Sequence, residues 1–270
     1  MKQRYTSKLQ MFHVTFVVTL LLLMSQVGYA QTVFTQDFSS SSTVSSYVNS
    51  TSPSANQFNA ITGGTGWAIS SGALVSSRAS GSSAASANRT TDLVVTNPPI
   101  TAAKVSFSLQ VTNPTGNSFS GYMRLQLGTG FTNTTSLEAT PYAAIVFDVL
   151  STNEFKFRNG SSVSSASGTG AHSVTIYLNN TGADFKYKVG STVYTLANDK
   201  LDIWMDGSQV SSFQGLAVTT ASSSVTDFKF ILNGVVSGTG SVQAAFYNIQ
   251  IENVLPYITC PAAISQNTDA

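Results

Sequence analysis

The segment Lys104-Val-Ser-Phe-Ser-Leu-Gln-Val111 alternates without a fault. Val105, Phe107, Leu109 and Val111 fall on one side, and Lys104, Ser106, Ser108 and Gln110 on the other. A period of two sustained over eight residues specifies a half-buried β-strand, because successive side chains of a strand point to opposite faces. The signal recurs along the chain. Met123, Leu125 and Leu127 alternate with Tyr122, Arg124 and Gln126; Phe155 and Phe157 with Lys156 and Arg158. Val174, Ile176 and Leu178 alternate with Thr175 and Tyr177, and Leu201, Ile203 and Met205 with Asp202, Trp204 and Asp206. Phe228, Phe230 and Leu232 follow, then Ala245, Tyr247, Ile249 and Ile251. Turn-formers separate the runs: Asn97-Pro98-Pro99, Asn113-Pro114-Thr115-Gly116, Asn159-Gly160, Asn179 to Gly182, Asp206-Gly207 and Asn233-Gly234. No stretch carries a helical period. Many short antiparallel strands, each with one polar face, predict an all-β sandwich or barrel, and about 200–250 residues is a usual length for one such domain.

The first 30 residues have another logic. Lys2, Arg4 and Lys8 precede an apolar run from Val14 to Met24, and Val27-Gly28-Tyr29-Ala30 precedes Gln31. A basic start, a short apolar centre and small residues before a cut describe a secretory signal peptide over residues 1–30. The run is shorter than the ~20 residues a membrane span needs, so no membrane insertion is expected after cleavage. Export to the cell surface or beyond agrees with composition: 9% of residues are charged, against about 25% in an ordinary soluble domain. Of 13 Lys and Arg, three lie in the leader, leaving 10 against 12 Asp and Glu. With no basic stripe, nucleic acid is not an expected partner. The Ser-, Ala- and Gly-rich stretch Val44 to Ser86 is punctuated by Phe58, Ile61, Trp67, Ile69, Leu74 and Val75, and reads as long loops with two short strands. The main domain is expected over 31–254, with a linker and the start of a second module over 255–270.

Two resemblances refine this. Val33-Phe34-Thr-Gln-Asp37-Phe38, Leu201-Asp-Ile-Trp-Met-Asp206-Gly207 and Phe246-Tyr-Asn-Ile-Gln-Ile251 resemble the first, hairpin and closing strands of concanavalin A-like jelly rolls, the superfamily of laminin-G domains, lectins and glucanases. The similarity covers roughly residues 31–253 and implies an antiparallel β-sandwich (jelly roll) whose first and last strands are neighbours. Where that superfamily often has an acidic residue in the closing strand, this chain has Asn248. At the other end, Ile258-Thr-Cys260-Pro261, Ile264 and Asn267-Thr-Asp269 resemble the first strand of a hyalin repeat (HYR) module, an immunoglobulin-like extracellular domain. That resemblance implies a disulfide from Cys260, the only Cys, to a partner outside this chain, in a secreted modular protein of bacterial style.

Chemistry is scarce. Beyond the leader the chain has one His, His172, and no Gly-x-Ser-x-Gly elbow accompanies it. Zinc would need three or four His, Cys or carboxylate ligands, which this supply does not provide. The Glu-x-Asp-x-x-Glu motif of the superfamily's glucanases is absent, and only Glu138, Glu154 and Glu252 occur. Asp202 and Asp206, four residues apart in a strand, lie about 13 Å apart, too far for a catalytic carboxyl pair. The Gly-Thr-Gly triplets are turns, since none leads into a helix as a phosphate loop would. A non-catalytic domain without a cofactor is expected.

Binding remains. Sugar-recognising sheet faces use exposed aromatic rings for stacking and short polar side chains for hydroxyl groups. The polar parities offer Tyr122, Arg124 and Gln126 on one strand, Tyr177 on another, and Asp202, Trp204 and Asp206 on a third, with Trp67 on a loop. Trp204 is the leading candidate, against the alternative that it caps the core or packs under a loop; Trp67 has a similar alternative in anchoring its loop. Asp37 and Asn248, with Glu252 nearby in a jelly roll, are the residues that would hold a structural Ca²⁺. The expected function is a secreted recognition or adhesion module for a glycan or a cell-surface protein. The alternatives are the ancillary carbohydrate-binding domain of an exported carbohydrate-active enzyme, or a purely structural sandwich. In a eukaryotic host Asn49, Asn88, Asn133, Asn159 and Asn179 would be glycan acceptors by their sequons.

Overall fold

A computed structural model describes residues 30–93, 100–114, 118–221 and 224–254. The expected leader as far as Tyr29, the expected second module from Leu255 onward and Cys260 lie outside the described residues. The described chain is an antiparallel β-sandwich of the jelly-roll kind. Its front sheet runs, neighbour to neighbour, Ser208–Gln209, Lys200–Met205, Ala171–Asn179, Ala102–Thr112, Val242–Asn253, Ala73–Arg78 and Gly66–Ser70. Gln31–Gln36 also pairs with Val242–Asn253, so the first strand does lie beside the closing one, as the jelly-roll resemblance implies. The back sheet runs Ser162–Val163, Phe155–Asn159, Ala143–Val149, Ser118–Gly128, Asp227–Ser237, Ala85–Arg89 and Ala60–Gly63. A separate hairpin pairs Phe185–Val189 with Thr192–Leu196.

The alternating runs put their apolar parities between the sheets. Phe107 of the front sheet packs edge-on against Phe230 and Phe147 of the back sheet, with ring centroids 5.4 and 6.1 Å apart. Phe34, Phe58 and Phe228 form a second knot, 4.8 to 5.7 Å apart. Buried rings in this offset and edge-on geometry add to the hydrophobic term that holds the sheets together.

Three local expectations are corrected. Val44–Ser86 holds three whole strands and the start of a fourth, Ala85–Arg89, not two strands. Gly66–Ser70 and Ala73–Arg78 form a hairpin across Ser71 (φ 51°) and Gly72 (φ 72°), the paired positive-φ geometry whose twist suits a tight hairpin. In the closing strand Ala244 and Phe246 face the core, then Ile249 and Ile251 do, while Ala245 and Tyr247 face away. A bulge between Tyr247 and Gln250 shifts the parity, with Asn248 at φ 48°. Finally, Asn233-Gly234 is no turn but lies inside Asp227–Ser237, with Gly234 opposite Gly121.

Candidate functional site

The residues chosen by polar parity divide between the two outer faces of the sandwich. Tyr177, Asp202 and Trp204 belong to the front sheet, and Tyr122, Arg124 and Gln126 to the back sheet. They cannot join in one site, because the core lies between them.

On the front face the expectation of an exposed Trp204 is corrected. Trp204 points away from the main core, as its parity requires, but it is only 5% exposed. The hairpin folds over it. Phe185, Tyr187 and Leu196 make a second apolar cluster with Tyr177 and Trp204. Tyr177 stacks on Tyr187 at 3.9 Å, and Tyr194 meets Trp204 edge-on at 4.8 Å. Trp204 Nε1 donates to the Tyr187 hydroxyl (3.1 Å), and that hydroxyl donates to Asp202 Oδ2 (2.6 Å). Asp202 Oδ1 accepts from the Gly215 backbone N–H. Burial, with the bond to Asp202, pushes the Tyr187 phenol up. Asp202 is therefore consumed inside the fold: it satisfies the buried polar ends of the ring stack. The hairpin was not singled out in sequence, although Phe185, Tyr187 and Val189 alternate with Lys186 and Lys188 before Gly190. That pattern was the available signal.

Asp206 lies at the end of the same strand, at φ 50° before Gly207. It accepts from the Ser173 backbone N–H (2.9 Å) and contacts His172 Nδ1 (2.7 Å). His172 Nε2 lies 3.0 Å from the Gly168 carbonyl. Both ring nitrogens thus face acceptors, and Ser173 Oγ bonds Asp206 rather than the imidazole. Asp206 ties a strand end to the loop before it. Its bonds from His172 and Ser173 hold its carboxyl below the usual range. A depressed carboxyl stabilises the fold above its unfolded-state pKa, and that contribution disappears as pH falls through the folded value. The Asp206→Asn variant should therefore melt below the parent at pH 5, and the gap should narrow as pH falls below the ordinary carboxylate range. With the Asp206 side chain 51% exposed, the effect stays below about 1 kcal/mol. A gap that widens in acid would reject this role.

Trp67 lies within Gly66–Ser70, packs against the main core and donates from Nε1 to the Thr62 carbonyl (2.9 Å). It is a strand residue, not a loop tip. Asp37 is exposed, and its Oδ1 accepts from Ser39 N and Oγ at 3.0 and 2.9 Å. Ca²⁺ takes 6–8 oxygen ligands, but Asp37 is engaged by its own turn and Asn248 is the bulge residue. Among the described residues no three His, Cys, Asp or Glu gather to hold a metal. Two of the sequon asparagines, Asn88 and Asn179, are fully buried. Asn179 Nδ2 donates to the Ala183 and Leu196 carbonyls, so the folded chain presents neither for modification.

The back face is more open. Strand register sets Val146, Arg124 and Ile231 in one cross-strand row, and Asp148, Tyr122 and Asn233 in the next. Tyr122 is half-buried, with the Arg124 guanidinium carbon 4.8 Å from its ring centroid. Asp148 receives a two-pronged bond from Arg158, 2.7 and 2.9 Å. Asn233 Nδ2 reaches the Tyr122 hydroxyl at 3.5 Å. Gln126 belongs to another structure. Fully buried, it exchanges two 3.0 Å bonds with the Glu138 backbone and pins the loop 129–142 over one end of the sheet.

A cleft of about 90 Å³ beside Trp204 and one of about 220 Å³ lined by Ser164, Ser208 and Ser212 occur elsewhere. Both are smaller than the ~300 Å³ at which pockets enclosing drug-sized ligands begin.

No family model matches the chain, and no curated protein matches it in sequence. Solved structures do. One is a carbohydrate esterase from Shiga toxin-encoding bacteriophage phi24B, at 9% identity and TM-score 0.50, covering 84% of this chain and 100% of that one. A sialidase, at 11% identity and TM-score 0.45, matches over 71% of this chain, which spans only 16% of the sialidase. The carbohydrate recognition domain of Emp46p, at 11% identity and TM-score 0.46, is covered to 88% by 72% of this chain. At such identities the likeness is one of fold.

Proposed function

We propose that the domain is a secreted recognition module that holds glycan on its back sheet face, within a larger surface or adhesion protein. The observation that carries this is the platform itself. An aromatic ring, a guanidinium, a carboxylate–guanidinium pair and a carboxamide stand side by side on an open, rigid sheet. A sugar ring presents an apolar face and a rim of hydroxyl groups. Tyr122 supplies the stacking surface. Asp148, Arg158 and Asn233 supply donors and acceptors already oriented by one another, so little side-chain entropy is lost on binding. Export and the adhesive context rest on the leader-like start and the HYR-like end of the sequence.

A glycan array and polysaccharide pull-down of the mature chain, with and without Ca²⁺, tests this reading. Tyr122→Ala should weaken binding by about tenfold or more, the loss expected for a central aromatic contact. Its melting temperature should stay close to the parent's, because the ring lies outside the core. Binding indifferent to Tyr122 would remove the platform from the proposal, and binding lost instead in Trp204→Phe would move the site to the front face.

A further inference from the structure

Among the described residues, Arg124 of the platform has no ion-pair or hydrogen-bond partner for its Nε. Arg124 stands between Val146 and Ile231 in its row; these neighbours are 6% and 0% exposed and offer no side-chain acceptor. Gln126, two residues along, is committed to Glu138. Asp148, in the adjacent row, spends both oxygens on Arg158. Arg124 Nε is buried and has no hydrogen-bond partner among the described residues. What the guanidinium does touch is the Tyr122 ring.

Other basic side chains are placed differently. Arg78 donates to the Gly234 carbonyl, and Arg89 to the carbonyls of Ser54, Gln57 and Thr91. Lys104, Arg158 and Lys229 are paired with Glu252, Asp148 and Glu138. Lys156 shares the back face and stands directly opposite Asp148 in the ladder. Lys186 and Lys188 stand exposed on the hairpin of the opposite face. A partly buried guanidinium without an acceptor is costly, and its planar fork matches carboxylate or sulfate groups in two-pronged geometry.

We infer that Arg124 is the residue by which the platform selects an anionic glycan, one whose carboxylate or sulfate group meets the guanidinium while its ring lies against Tyr122. This rests on the glycan reading of the back face and adds the charge class of the ligand. The same contact would make recognition fall with ionic strength.

The test titrates the mature chain with polygalacturonate, with dextran sulfate and with uncharged dextran, at low and at raised salt. Arg124→Gln, Arg124→Lys and the double variant Lys186→Gln/Lys188→Gln are measured beside the parent, each checked for an unchanged melting temperature. The expected result is binding to one acidic polymer, weakened about tenfold or more in Arg124→Gln. Arg124→Lys should keep part of it, and the hairpin variant all of it. Which polymer binds decides between carboxylate and sulfate. Equal loss in the hairpin variant would mean unspecific attraction to positive charge and would overturn the inference. Binding of dextran that needs Tyr122 but not Arg124 would leave the glycan reading standing and sink the anionic class alone. No binding to any polymer, here or on the array, would sink both.

Discussion

Glu138→Ala is expected to cost the domain about 3 kcal/mol, and Lys229→Met only about 1 kcal/mol. The two side chains form one ion pair, but they sit differently. Lys229 is on the outer parity of Asp227–Ser237, yet its side chain is 0% exposed because the loop 129–142 lies over it. Its ammonium donates to Glu138 Oε1 and to the Ser136 carbonyl, the latter at 3.2 Å. Glu138 retains 15% exposure and also accepts from Thr132 N and Oγ1, both at 2.9 Å. Removing the carboxylate strands a buried cation. Removing the cation leaves a carboxylate that still has Thr132 and a path to water, and methionine refills the volume. The double variant should therefore be more stable than Glu138→Ala alone, a coupling that a double-mutant cycle in urea reads directly. Burial alone would push the Glu138 carboxyl up, but Lys229 and Thr132 outweigh it and hold it below its ordinary value. The contribution is then present at neutral pH and lost as pH falls through that lowered value, so the parent and Glu138→Ala should converge in acid. Equal and small losses in both single variants would show that the loop is held by other bonds, such as Phe131 N to Asp227 Oδ2 at 2.7 Å.

The contrast between Lys229 and Trp204 explains how much of this molecule was legible in its sequence. The period-two runs located the core strands, and the inward parities of Lys104–Val111, Met123–Leu127 and Phe228–Leu232 are those of the structure. Parity also places Trp204 and Asp202 on an outer face, as the structure does. It could not say what covers an outer face. That depends on contacts between distant segments: the hairpin over Trp204, the loop 129–142 over Lys229 and Gln126. Sheet membership is likewise non-local. Tyr122 and Tyr177 look equivalent in sequence, and only strand pairing reveals that they sit on opposite sides of the sandwich. The parity shift at Asn248 was hidden because a bulge leaves no mark in an alternation read two residues at a time. Of the candidate residues, Tyr122 and Arg124 remain on an open face. Asp202 and Gln126 are buried and engaged inside the fold.

Gly121→Ala should be strongly disruptive for a single added methyl, at about 3 kcal/mol or more. Gly121 and Gly234 face each other in the ladder between Ser118–Gly128 and Asp227–Ser237. A Cβ on Gly121 would come closer than 3.0 Å to the Asn233 carbonyl oxygen, the Gly234 Cα and the Phe119 ring. Two of those three are backbone atoms held by the strand pairing, so they cannot swing aside as a flexible side chain would. The ladder would have to open at the row next to Tyr122 and Asn233. Gly234 is constrained twice, since φ 148° is itself unfavourable for a residue with a Cβ. The control is Gly207→Ala, at a turn with φ 75° and nothing within 4 Å of the added methyl. It meets only the left-handed penalty of about 1–2 kcal/mol. Urea unfolding should rank the variants Gly121→Ala, then Gly207→Ala, then the parent, and what remains folded of Gly121→Ala should have lost affinity along with Tyr122→Ala. A Gly121→Ala domain as stable as Gly207→Ala would mean that the strands are not this close, and the glycines would have no part in setting the Tyr122 row.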